Sequence, residues 1–167
     1  MSLFKFRREI LNKKLVLKGL KESLEKELAG IKLASEAAQS LNQSNDLKSE
    51  SKYDTRAIES GYLAGAQKAR VEQLEGELEM LEEIDLELPT VSVATGHLVE
   101  LEYSGRIQNY FLSPASGGTL LQVEGQAVLV ISVFSLLGRE LVESGQGDEV
   151  EIETPRGNRT YLVKSIR

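Results

Sequence analysis

Residues 6–41, FRREILNKKLVLKGLKESLEKELAGIKLASEAAQSL, and residues 55–86, TRAIESGYLAGAQKARVEQLEGELEMLEEIDL, flank a polar break at residues 42–54, NQSNDLKSESKYD. In the first stretch Ile10, Leu17, Leu20, Leu24, Leu28, Ile31, Ala34, Ala38 and Leu41 recur at the spacing of one helical face. Lys and Glu fill the other faces, and Gly19 and Gly30 are mild breakers that the period outweighs. In the second, Ile58, Tyr62, Val71, Leu74, Leu78 and Leu81 keep helical spacing, more clearly in the C-terminal half. The Asn, Ser and Asp residues between them bond their own backbone in competition with helix. Neither striped helix can bury its stripe alone, so the pattern predicts that the two fold back on each other as an antiparallel coiled-coil hairpin. At about 1.5 Å rise per residue, arms of roughly 30 to 35 residues make a finger about 50 Å long, with the polar segment at its tip.

Outward from the hairpin the pattern changes. Pro89 ends the helical region, and from Thr90 short apolar or alternating runs are separated by Gly, Ser, Asn and Pro. Candidate strands are Val91–Ala94, Leu98–Tyr103, Ile107–Leu112, Val128–Ile131, Glu149–Glu153 and Tyr161–Ile166, with a short helix from Ser135 to Glu143. The segment TPRGNRTY, with Pro155 and Gly157, predicts a hairpin turn before the last strand. The fold class is therefore α+β: a long α-helical hairpin over residues 1–88 with its tip near 42–54, then a β-rich domain over residues 89–167.

The bulk composition narrows the function classes. The 167 residues carry a formal charge of -6, so a free-standing nucleic-acid binder, which needs a basic face, is not expected and partners should be proteins. Cysteine is absent, which removes disulfides, thiol nucleophiles and thiolate metal sites. The start MSLFKFRREIL lacks the apolar run of a signal peptide, and even the run Ala127–Leu137 is too short for a membrane span. No membrane association and a cytoplasmic location are the expectation. His97 has no second ligand at a convincing spacing and is expected to be an ordinary surface residue. Walker, dinucleotide-binding, nucleophile-elbow and zinc motifs are missing, and no nucleophile, base and orienting group can be named together. The chain is not expected to be an enzyme.

Chemistry is most plausible at the tip, where Asp46 and Glu50, with Asp54 behind them, stand among Ser and Asn. Carboxylate oxygens are hard ligands suited to Mg²⁺, which takes one or two protein carboxylates and otherwise keeps water, so such a tip could complete a metal shell supplied by another protein. A solvated turn is the plain alternative.

Taken together, the helical hairpin, the tip segment NDLKSESKY and the C-terminal LLGRELVESGQGDEVEIETPRGNRTYLVKSI resemble the GreA/GreB family of bacterial transcript cleavage factors. In that family a segment of the form SPLGRALLGKKVGDEVEVETPGGKRTYEI closes an FKBP-like domain. Here Gly138–Arg139, Gly147–Val150, Glu153–Pro155 and Arg159–Tyr161 match it nearly residue for residue. The resemblance implies a partner, bacterial RNA polymerase, whose secondary channel receives the coiled coil. It also implies only indirect contact with nascent RNA and DNA in the elongation complex, and no cofactor of its own beyond Mg²⁺ shared with the polymerase active centre.

The family tip, of the form GDLRENAEY, presents an Asp and a Glu that help hold that Mg²⁺ while the polymerase cleaves backtracked RNA. Asp46 matches the family Asp and Tyr53 the family Tyr, whereas Ser49 stands where the family Glu would be and Glu50 comes one residue later. One residue on a helix turns a side chain by about 100°. The resemblance thus assigns Asp46 and Glu50 as the carboxylates assisting catalysis, with Asp46 as metal ligand only in complex with polymerase. Gly61-Tyr62-Leu63 keeps the family's Gly-aromatic-Leu spacing from Tyr53. Phe134-Ser135-Leu136 falls where the family has a Ser-Pro in the loop that grips the polymerase rim helices, which assigns these three residues to partner binding. The FKBP-like label does not carry prolyl isomerase activity, and no aromatic pocket for it is legible in the sequence. Two other readings stay open: a channel binder that does not stimulate cleavage, and a non-enzymatic helical-hairpin interaction module.

Overall fold

The computed structural model describes residues 11–45 and 55–167. Along the chain run α1 (Lys13–Asn45), α2 (Thr55–Glu82), β1 (Leu98–Tyr103), β2 (Arg106–Ser113), β3 (Leu120–Val123), β4 (Gln126–Ser132), α3 (Leu136–Leu141), β5 (Glu149–Thr154) and β6 (Gly157–Ile166). The class is α+β, helical first and a β-sheet after, as expected. Two compact units result, Met1–Leu20 with Leu81–Arg167, and Lys21–Met80.

Within the second unit, Leu24 and Leu74 are buried while Leu28, Ile31, Val71 and Leu78 are half-buried. Arg70 donates to Glu27 Oε1 at 2.6 Å and Lys32 Nζ to Glu75 Oε1 at 2.8 Å, tying α1 to α2 across their exposed flanks. Such exposed pairs each contribute about 0 to 1 kcal/mol, so the leucines matter more. The expected seam does not stay buried toward residue 45: Ala34, Ala38 and Tyr62 are exposed, Tyr62 by 78%. There α1 and α2 face each other with Gly30, Ala34 and Ser35 against Ala64, Gly65 and Ala66. Open grooves of about 510 Å³ and 530 Å³ lie along this stretch, walled also by longer side chains such as Ile31, Gln67, Arg70 and Val71.

Both helix ends differ from the sequence expectation for local reasons. α1 starts at Lys13 because Asn12 caps it: its Oδ1 accepts the Lys14 N–H at 2.9 Å and its carbonyl accepts from Leu15 and Val16. α2 stops at Glu82 rather than Leu86, and Asp85 Oδ1 accepts the Glu87 N–H at 2.8 Å, a side-chain turn that competes with helix.

The six-stranded sheet has the order β3-β4-β2-β1-β6-β5, antiparallel except for the parallel pair β2 and β4. Two of its hairpins use two-residue loops with both residues left-handed, Ser104-Gly105 (φ 50 and 74) and Glu124-Gly125 (φ 51 and 74). That twist matches the strands it joins. The third turns through Pro155-Arg156, where Thr154 Oγ1 donates to the Gly157 carbonyl at 2.7 Å.

Alternation along the strands buries both faces. Val99, Leu101, Tyr110, Leu112, Ile131, Val150, Ile152, Tyr161 and Val163 form one core with Leu141 of α3. Leu98, Phe111, Val128 and Val130, also buried, point to the opposite face. In the same unit Leu11, Val16, Leu17 and Leu20 of the chain start and first turns of α1, and Leu81 at the end of α2, are buried as well. The Asn12 N–H donates to Glu124 Oε2 at 3.2 Å, which anchors the start of α1 to the β3–β4 turn.

Three sequence expectations need correction in this unit. Val91–Ala94 is not a strand: Val93 makes only two backbone bonds, to Ser144 and from Glu143, and Val91 is exposed. β3 was not anticipated, its four residues being short and its hairpin marked only by Glu-Gly. His97 is not a surface residue but fully buried. Among the described residues no helix is long and apolar enough to cross a membrane.

Candidate functional site

The assigned residues fall in two places. Asp46 and Glu50, together with Ser49, Tyr53 and Asp54, lie outside the described residues. Among the described residues no group of three or more His, Asp or Glu side chains could hold a metal ion.

Phe134, Ser135 and Leu136 are described in full and form the turn between β4 and α3. Just past the end of β4 the Val133 N–H donates to the Ser113 carbonyl at 3.0 Å, and the chain then reverses over Ser132. The Ser132 carbonyl accepts twice from Ser135, from the N–H at 3.0 Å and from the hydroxyl at 2.7 Å. Ser132 Oγ accepts the Phe134 N–H at 3.2 Å. Ser135 is extended (φ -71, ψ 164) and caps α3, its Oγ accepting the Gly138 N–H at 3.0 Å. Gly138 must be glycine here, since a Cβ would stand 2.0 Å from the Ser132 carbonyl oxygen. Gly117 of the preceding loop is confined too, though less tightly, its Cβ position lying 2.8 Å from Ser132 Cβ.

This knot of bonds holds Phe134 70% and Leu136 46% exposed on either side of the half-buried Ser135. Two large apolar side chains kept in water on a well-bonded turn lose hydration cost when a partner covers them, so the turn is suited to a protein contact. The sequence located the triplet by resemblance. It could not show that Ser132 and Gly138 build the turn, because their roles depend on where the β4 carbonyl meets α3.

His97 sits away from that turn. The Ala94 N–H donates to its Nδ1 at 3.1 Å, which leaves the proton on Nε2, facing the Leu88 carbonyl at 3.4 Å. Burial holds its pKa below 6.5, helped by the positive charge of Lys13, while the Leu88 and Ser92 backbone contacts act the other way. Gly96 beside it has φ +88, and a Cβ there would meet Ile84 Cγ2 at 2.7 Å. The pair therefore fastens the segment after α2 onto the sheet, a structural role. Its signal in the sequence was the Gly-His step ahead of an apolar strand.

A second grouping the sequence did not reveal lies at the other end of the sheet. Tyr103 and Tyr161 stack at 5.0 Å, Arg159 lies 5.6 Å from the Tyr103 ring centre, and Tyr103, Ser104, Arg106 and Gln108 line a crevice of about 320 Å³. Tyr110, whose hydroxyl donates to Gln108 Oε1 at 2.7 Å, has its pKa raised by burial and by neighbouring Tyr161.

No family model matches the chain. Its sequence is 31% identical over 159 residues to the transcription elongation factor GreA of Desulfovibrio desulfuricans, covering 87% of this chain and 88% of that protein. Against the transcription elongation factor GreA of Methylococcus capsulatus it is 27% identical, covering 87% of this chain and 92% of that one. Among solved structures, the GreA factor homolog 1 (Gfh1) of Thermus thermophilus is 23% identical, covering 88% of this chain and 94% of its own, with a TM-score of 0.37. A superposition at that score adds no weight, and the sequence identity stands without it. Identity at this level along nearly the full length of a curated relative places the chain in the GreA/GreB family of transcription elongation factors, as a divergent member.

Proposed function

We propose that this protein is a Gre-like elongation factor that binds bacterial RNA polymerase with its β-rich part and reaches into the secondary channel with a coiled-coil hairpin formed by α1 and α2. The observation that carries this is the extent of the match: at 87% of the chain it takes in most of both the helical and the β parts, so both are matched by the relatives named as transcription elongation factors. Geometry supports the division of labour. At about 1.5 Å per residue, the 33 residues of α1 make a rod about 50 Å long. The β part, FKBP-like by the resemblance of its C-terminal segment, presents Phe134 and Leu136 for docking.

The protein is an accessory factor, not an enzyme. Asp46 and Glu50 would add carboxylate oxygens to a Mg²⁺ that belongs to the polymerase, and nascent RNA and DNA are met only within the elongation complex. Its charge of -6 fits a protein partner better than free nucleic acid. A binder that occupies the channel without stimulating cleavage is the second reading, favoured by one observation, Ser49 at the position of the family Glu.

The test is RNA cleavage in a stalled, backtracked elongation complex with Mg²⁺, run with buffer, this protein, Asp46→Ala and Ser49→Glu, beside a polymerase-binding assay. Acceleration that Asp46→Ala abolishes establishes a cleavage factor. Binding without acceleration, restored by Ser49→Glu, establishes the second reading, and absence of binding refutes both.

A further inference from the structure

We infer that Ser135 is a positioning residue: its hydroxyl does not reach for the partner but locks the turn that presents Phe134 and Leu136, which make the contact with an apolar surface of the polymerase. The inference rests on the docking role proposed above and assigns parts within it. A serine hydroxyl has one proton and two lone pairs. Here the proton is given to the Ser132 carbonyl at 2.7 Å and one lone pair takes the Gly138 N–H at 3.0 Å. What remains for a partner is a single lone pair on a half-buried side chain, flanked by two exposed apolar ones.

The same geometry explains how a proline serves at the next position in the family pattern. Leu136 is the first residue of α3, where the backbone N–H has no partner within the helix and proline's fixed φ suits the start. Proline also restricts the residue before it to extended conformations, and Ser135 already has φ -71 and ψ 164. A proline at this position therefore holds the turn by covalent geometry, as the Ser135 hydroxyl holds it by hydrogen bonds. Each should substitute for the other. If the hydroxyl instead touched the polymerase, no change at position 136 could replace it.

The experiment is a double-mutant cycle read by binding of the full-length protein to core RNA polymerase at 25 °C, with thermal unfolding followed in parallel. The variants are Ser135→Ala, Leu136→Pro, the two combined, Phe134→Ala and Leu136→Ala. Loss of a cap of this kind corresponds to about a fivefold weaker binding for Ser135→Ala if the turn must be re-formed on docking. The expected result is that Ser135→Ala costs about fivefold in the native background and less than about twofold in the Leu136→Pro background. An equal loss in both backgrounds, or no loss from Ser135→Ala, overturns the inference. Phe134→Ala and Leu136→Ala should both weaken binding. If both bind like the native protein while the native protein binds well, the docking surface itself is wrong and the inference falls with it.

Discussion

Replacing glycine by alanine should have opposite signs at two positions, Gly138 and Gly30. In a helix interior alanine is intrinsically favoured over glycine by about 0.8 to 1 kcal/mol. At Gly30 nothing lies within 4 Å of the added Cβ, so Gly30→Ala should gain close to that full amount. At Gly138 the same carbon would stand 2.0 Å from the Ser132 oxygen, 2.8 Å from its carbonyl carbon and 2.9 Å from Val133 Cα. All three are backbone atoms that no rotamer change can move. α3 must shift away by more than an ångström, which breaks the Ser135 cap and loosens Leu141 in the core. Overpacking costs about 1 to 3 kcal/mol and a lost cap about 1 kcal/mol. Set against the helical gain, a net loss of about 1 to 3 kcal/mol is expected. For a chain of this size that corresponds to a fall in Tm of roughly 2 to 12 °C, with a rise of about 2 to 4 °C for Gly30→Ala. Thermal unfolding by circular dichroism decides it, and a Gly138→Ala variant as stable as the native protein would refute the packing described between β4 and α3.

Burial ranks the hairpin leucines. Leu24→Ala should cost about 2 to 4 kcal/mol and the half-buried Leu78→Ala distinctly less, measured by urea unfolding, and equal losses would contradict the packing between α1 and α2. His97 makes stability pH-dependent with a definite sign. Its folded pKa lies below the unfolded value of 6.5, so the unfolded state binds the extra proton; the contribution is complete above pH 6.5 and is lost as pH falls from there toward the folded pKa. The urea midpoint should therefore drop between pH 7.5 and pH 5 by more in the native protein than in His97→Gln. Identical profiles would show that His97 is not held neutral.

Local pattern was enough for much of the fold. Leu98–Tyr103 is β1 to the residue, the hairpin turn at Pro155-Arg156 is where TPRG places it, and the short helix expected over Ser135–Glu143 is present as Leu136–Leu141 with Ser135 as its cap. These are features encoded by neighbours in the chain: alternation, turn chemistry and caps. β3 escaped because four residues carry too little alternation to stand out, and it exists through pairing with β4. Of the candidate site, the triplet 134–136 was legible through resemblance, while the hydrogen bonds that hold it were not. Asp46 and Glu50 remain assigned by pattern alone.

What the sequence by itself determined was the order of elements, helices before sheet, and the kinship with GreA factors, because periodicity and residue identity are properties of the chain read in one dimension. Burial was decided only by the tertiary structure. His97 looks the same in sequence whether exposed or enclosed, and it is enclosed because the segment 84–88 passes over it. Ala34 and Ala38 keep the spacing of the helical seam and are nonetheless exposed, Ala34 on the wall of an open groove. Whether an apolar position becomes core depends on what another part of the chain brings within contact distance, and no local pattern carries that distance.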